Sequence, residues 1–208
     1  MNKILTIGKK GTSRIVEKKS VFIGHAAPVR DEKEAVEFID EIRHKLADAN
    51  HHTFAYQIGE NNEIQRANDG GEPSGTAGRP ILEMIKQENL RDISVVVSRY
   101  FGGILLGTGG LVRSYGKAGR LAIIDGKIIE KVYGQKIFIT LDYHLLGKVQ
   151  NYLNNEKIFL EKLTYTDKVQ ADCLVNFEEV SRIIKELQDI CYGTVNISQG
   201  EAGYFTEI

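Results

Sequence analysis

Apolar residues along this chain switch between a period near two and a period near 3.6, and the switches mark out its elements. From 14 to 24, RIVEKKSVFIG reads as one strand with a basic start. In DEKEAVEFIDEIRHKLADA, 31–49, the residues Ala35, Phe38, Ile39, Ile42 and Leu46 share one helical stripe. Acids crowd the first turn of that helix, as its dipole favours. HTFAYQIG, 52–59, alternates as a strand, and NEIQRAND, 62–69, is placed to pair with it. PILEMIKQ, 80–87, makes a short helix whose Pro80 suits a first turn that lacks amide partners anyway.

The run ISVVVSRY, 93–100, is β-branched with little alternation, which predicts a strand buried on both faces. A glycine-rich loop follows, and a helix then starts at Gly109 or Gly110 with Thr108 as its N-cap. Leu111, Tyr115, Ala118 and Ala122 form its buried stripe. Beyond Gly126 the pattern predicts strand 135–142, helix 143–155, strands 157–166 and 168–177, helix 178–190 and strand 194–206. That order, βαββαβ, is the ferredoxin-like split βαβ arrangement. The expected organisation is therefore α+β in two domains, 1–134 and 135–208.

Composition adds little to this picture. At 42% hydrophobic and 26% charged residues the chain is an ordinary globular protein. The start MNKILTIGKK lacks a signal-peptide apolar region and no run is long enough to span a bilayer, so a cytoplasmic, membrane-free protein is expected. Cys173 and Cys191, outside any CxxC spacing, are expected as reduced core thiols. Charge is uneven: residues 1–136 hold 21 cations and 17 anions, residues 137–208 hold 6 and 11. The asymmetry points to a polyanion met by the first part, or to two solvated faces that differ by chance.

Candidate chemistry concentrates in two glycine loops. In RYFGGILLGTGGLVRSYGKAGR, 99–120, a strand leads through glycines into a helix, a general recipe for holding phosphate on exposed amides. Arg113, Lys117 and Arg120, at i, i+4 and i+7, lie on one helical face. They are expected to neutralise phosphates, Gly102, Gly103, Gly107, Gly109 and Gly110 to admit a backbone, and Arg99 with Tyr100 to touch a base or sugar. The loop matches neither a P-loop nor a dinucleotide fingerprint. Its structural alternative is tight turns beside a solvated cationic face. The second loop, DGGEPSGTAGRP at 69–80, gathers Asp69, Glu72, Ser74, Thr76 and Arg79. Two acids near hydroxyls suit Mg²⁺ with a phosphate, but turn and cap formation is the favoured reading. His51 and His52, adjacent before a strand, point to opposite faces and do not make a metal pair, and Ser74, Ser98 and Ser114 lack a recognisable triad.

The segments DGGEPSGTAGRPIL, 69–82, and VVVSRYFGGILLGTGGLVRSYGKA, 95–118, resemble the IMPACT family, also called the YigZ family. The resemblance runs the length of the chain. It implies a first domain similar to the fold shared by the second domain of a small-subunit ribosomal protein, domain IV of elongation factor G and a class of small-molecule kinases. The second domain is implied to be ferredoxin-like and similar to another elongation factor G domain. The resemblance implies eukaryotic relatives that regulate translation by binding a ribosome-associated scaffold protein and that carry an additional N-terminal RWD domain, which is not expected in this sequence. The family often carries a second acid where Gly70 stands here, and implies no catalytic residues.

The expected function is a non-enzymatic, translation-associated regulator that binds RNA, the ribosome or a translation-regulatory protein, with no cofactor and no metal. Two alternatives remain at this point. One is an enzyme acting with Mg²⁺ on a nucleotide or other phosphorylated small molecule, Asp69 or Glu72 serving as metal ligand or base. The other is a protein-binding regulator that docks through the acidic C-terminal domain.

Overall fold

A computed structural model describes residues 3–206 of the chain, an α+β protein whose contacts divide it into two compact units. The first runs Ile4–Glu130; the second begins at Lys131.

In the first unit a five-stranded antiparallel sheet has the order β2-β3-β6-β4-β5, built from β2 Gly11–Glu17, β3 Ser20–Pro28, β4 His51–Ile58, β5 Ile64–Asn68 and β6 Ile93–Tyr100. Helix α1, Glu32–Lys45, covers one face. Helices α2, Gly78–Gln87, and α3, Gly107–Asp125, cover the other. The central strand β6 explains its own composition. Val95 and Val97 enter the core under α2 and α3, whereas Val96 enters the core under α1. A strand with helices on both faces has no wet side, so alternation disappears.

Helix α1 starts where Asp31 accepts from the Glu34 amide at 2.8 Å, a side-chain cap of the ordinary kind. Helix α3 buries Leu111, Tyr115, Ala118 and Ala122, the stripe its spacing requires. Tyr115 meets Phe22 edge to face, ring centroids 5.0 Å apart, which locks α3 to β3.

The expected single strand at 14–24 is instead a hairpin. Residues Glu17 and Ser20 face each other across a two-residue turn, with Lys18 at φ 45° and Lys19 at φ 66°. Both positive φ values are those of a type I′ turn, which matches the twist of the strands it joins. Asn and Gly usually supply such a turn; two lysines hide it from a reading of the sequence. Helix α3 also begins earlier than expected. Its first residue is Gly107 and the capping position is Leu106, so Thr108 lies inside the helix rather than at its cap.

The second unit has the order of elements that the sequence predicts. Strand β7, Ile128–Leu141, starts upstream of the strand expected at 135. Then come α4, Leu146–Asn155, β8, Phe159–Tyr165, β9, Val169–Asn176, α5, Val180–Ile190, and β10, Asn196–Thr206. Both helices are preceded by a short 3-10 turn. Strand β1, Lys3–Ile7, absent from the elements the sequence predicts, lies almost wholly in the first unit. Within β7 to β10 the order is β10-β7-β9-β8, all antiparallel. Alternate residues Ile137, Ile139 and Leu141 of β7, and Val169, Ala171, Cys173 and Val175 of β9, join Val149, Leu153, Ile183 and Leu187 of the helices in one core. Cys173 and Cys191 are buried and free, and burial pushes the Cys173 thiol up to about 12. Among the described residues no helix is long and apolar enough to cross a membrane.

Candidate functional site

The two glycine loops of the sequence meet in the first unit. Strand β6 ends at Tyr100 beside the 48–50 segment: the Tyr100 hydroxyl donates to Asp48 Oδ1 at 2.7 Å and the Phe101 amide to Asn50 Oδ1 at 2.7 Å. Arg99, one residue earlier, turns inward. Its Nη1 donates to Glu72 Oε1 at 2.6 Å and its Nη2 to Ser20 Oγ at 3.2 Å, and its guanidinium lies 5.4 Å from the Phe22 ring centroid. The pair is sealed, with side-chain exposures of 5% for Arg99 and 4% for Glu72. Arg99 is therefore not the solvent-facing contact to a base or sugar that its sequence position suggests. Its charge is spent on a carboxylate of the other loop.

Glu72 also accepts from the Tyr115 hydroxyl at 2.7 Å, and burial followed by that bond pushes Tyr115 far above the usual phenol range. His51 completes the group. Because the Gly70 carbonyl can only accept, the 3.0 Å contact makes His51 Nδ1 the donor, and His51 Nε2 lies 3.9 Å from Glu72 Oε1. In the sequence His51 stands only as half of an unsuitable metal pair. Only the fold brings it beside Glu72.

Asp69 acts as a cap at the entry to α2. Its Oδ2 accepts from the Gly75 amide at 2.8 Å, and its Oδ1 from Ala77 and Gly78 at 3.0 and 2.8 Å. Burial alone would raise its carboxyl pKa, but the three amides outweigh burial and hold it below the ordinary value. Thr76 is buried and donates to the Pro73 carbonyl at 2.6 Å, a turn bond. Ser74 and Arg79 are exposed. Among the described residues no group of His, Cys, Asp and Glu is arranged to hold a metal ion.

The glycines of 102–110 differ from one another. A Cβ on Gly102 would lie 2.1 Å from the Lys19 carbonyl carbon, so this glycine exists to let the β2–β3 turn pack against it. It does not admit a ligand backbone, a correction to the sequence reading. Gly102 N donates to Ser20 Oγ at 3.1 Å, tying the same turn to Arg99 through one hydroxyl. A Cβ on Gly110 would meet Leu106 Cβ at 2.9 Å, and one on Gly109 only the tip of Arg113. Gly103 and Gly107, at φ 79° and 72°, have open space where a side chain would be. Of the five glycines expected to admit a backbone, these two combine a left-handed backbone with room for an incoming group.

Helix α3 starts without a side-chain cap and without an acid in its first turn. Its leading amides carry the positive end of the helix dipole. Arg113 and Lys117 are exposed on the same helix, and among the described residues neither forms an ion pair. Arg120 does: its Nη2 sits 2.8 Å from Glu88 Oε1, so the third cation of the expected ridge is engaged. Lys18, from the hairpin turn, takes the vacant role. It lines a cavity of about 250 Å³ with Arg113, Lys117, Ser114, Gly110 and a single acid, Glu17. On the other side of Leu106 lies a cavity of about 410 Å³. His51, Glu72 and Arg99 line it together with apolar Pro73, Phe101, Leu105 and Leu111, and with Gly107 and Thr108 of the α3 start.

Two family models match the chain, the Impact N-terminal domain over residues 18–123 and a domain of unknown function, DUF1949, over 139–194. The IMPACT family member YvyE of Bacillus subtilis is 39% identical over 204 residues, 98% of this chain and 94% of its own. The IMPACT family member YigZ of Escherichia coli is 36% identical over 138 residues, 65% of this chain and 68% of its own. Protein IMPACT-A of Xenopus tropicalis is 37% identical over 98 residues, which are 45% of this chain and 30% of that protein. A crystal structure of a hypothetical protein, 28% identical, superposes with a TM-score of 0.64 over 97% of this chain and 98% of its own.

Proposed function

We propose, because this chain belongs to the IMPACT family, that it acts as a non-enzymatic, translation-associated regulator that grips RNA through the start of α3. One observation carries the reading: an uncapped 19-residue helix presents Arg113 and Lys117 unpaired, beside Lys18 held in a strained turn. Backbone amides and cations around one cavity suit the oxygens of a phosphate diester. Lysine at positive φ costs about 1–2 kcal/mol relative to glycine, and such strain is retained where a side chain is wanted at that place. The likeness of both halves to parts of the translation machinery that the sequence motifs imply favours the same direction. The acidic second unit is suited to protein contact rather than to RNA.

The test is a titration of labelled single-stranded RNA at several salt concentrations against wild type and the Arg113→Ala, Lys117→Ala double variant. Each lost phosphate contact should flatten the log–log salt slope by about 0.7, and the double variant by about twice that. Equal affinities and equal slopes in the two proteins would remove the reading.

A further inference from the structure

The larger cavity has a division of charge that selects its occupant. Arg99 and Glu72 neutralise each other at 2.6 Å, so its floor offers no net charge to an anion. The start of α3, which contributes Gly107 and Thr108 to the lining, offers a positive end. The ligand that fits is neutral at one end and anionic at the other.

The neutral end is planar and polar-edged rather than aliphatic. Phe101 is 45% exposed and lines the cavity, with the Arg99 guanidinium 5.3 Å from its ring centroid. Leu105, 83% exposed, stands at the same opening. An exposed ring beside an apolar wall is a stacking platform, which any base can use. At the floor stand the Arg99–Glu72 pair and the His51 ring, so this end of the lining is polar. A hydrocarbon chain would gain nothing from a polar floor, whereas the edge of a base supplies donors and acceptors. The volume, about 410 Å³, falls in the roughly 300–1,000 Å³ range of sites that enclose small organic ligands.

We infer that this cavity is a nucleotide subsite: it takes one unstacked nucleobase stacked on Phe101, with the attached phosphate on the first turn of α3. The inference rests on the RNA reading for the source of the nucleotide. It commits to the base itself, which a phosphate grip does not require.

The experiment measures binding of AMP, GMP, CMP, UMP and ribose 5-phosphate to the full chain by calorimetry, for wild type, Phe101→Ala and His51→Ala. A labelled single-stranded RNA 12-mer is titrated against the same proteins. At least one mononucleotide should bind roughly tenfold or more tightly than ribose 5-phosphate, and the ratio should fall toward one in Phe101→Ala. If ribose 5-phosphate binds and the mononucleotides bind no better, the subsite is overturned. Should none of the five bind at millimolar concentration, the RNA arm decides. A roughly tenfold loss in Phe101→Ala then supports a base presented by the polymer, and unchanged affinity overturns it. Failure of the Arg113→Ala, Lys117→Ala test with a retained base-dependent ratio would sink the RNA reading and leave a site for free nucleotides.

Discussion

Arg99 Nη1 lies 2.6 Å from Glu72 Oε1, and this contact joins the end of β6 to the second glycine loop across 27 residues of chain. A charge so enclosed is tolerable only with its partner present. Glu72→Ala should destabilise the first unit by about 3–5 kcal/mol, because it strands the guanidinium and removes the acceptor of Tyr115. Replacing both partners, Arg99→Met with Glu72→Leu, should recover most of that loss. Urea unfolding of the three proteins reads the difference; a loss under about 1 kcal/mol for Glu72→Ala would show that the pair is not the anchor of the loops.

Asp69 holds three amides at the entry to α2, and Asp69→Ala should cost about 1–2 kcal/mol at neutral pH. The sign of its pH dependence follows from its lowered pKa. The contribution is whole above the unfolded-chain value near ~3.9 and is lost as pH falls through the folded value. The stability gap between wild type and variant should therefore shrink in acid, which denaturant curves at neutral pH and near pH 3 will show.

Gly102 and Gly103 are neighbours with opposite reasons to be glycine. At Gly102 an added methyl strikes the Lys19 backbone at 2.1 Å; at Gly103 it meets nothing within 4 Å, and only the φ of 79° resists it. Gly103→Ala should cost about 1–2 kcal/mol of backbone strain, whereas Gly102→Ala should cost about 3 kcal/mol or more, since the β2–β3 turn must move. Chemical denaturation separates the two. Equal losses would mean that Gly102 is not closely packed.

Tyr56 donates to Glu32 Oε1 at 2.5 Å, and burial, followed by this bond, pushes its hydroxyl up to about 12. A raised value in the folded state means stability that is complete below the unfolded phenol value near ~10 and is lost as pH climbs toward about 12. Tyr56→Phe should remove one late-ionising phenol from the absorbance titration and weaken the alkaline dependence of unfolding between those limits. An unchanged late phase in the variant would assign it to another tyrosine.

Much of the fold is legible where one local pattern decides the outcome. The β6 run occupies Ile93–Tyr100 because β-branched residues without alternation fit only a doubly covered strand. The α3 stripe is buried because Leu111, Tyr115, Ala118 and Ala122 recur at helical spacing. What resisted reading depends on partners far away in sequence. Lys18 and Lys19 give no turn signal, and their left-handed backbone is enforced by strand pairing and by Gly102. Arg99 and Arg120 look alike as free cations until folding brings up Glu72 and Glu88. His51 gains its neighbour Glu72 only when β4 and the second loop come together.

The bare start of α3 has one more implication. An Asp in place of Leu106 would give this helix an internal anion on the same leading amides that a phosphate would use. Leu106→Asp should thus weaken the grip on polyanions, because an internal anion and an external one compete for the same few N–H groups, and it also gives up the packing of Leu106 against the core. The leucine keeps that competition from being settled inside the molecule.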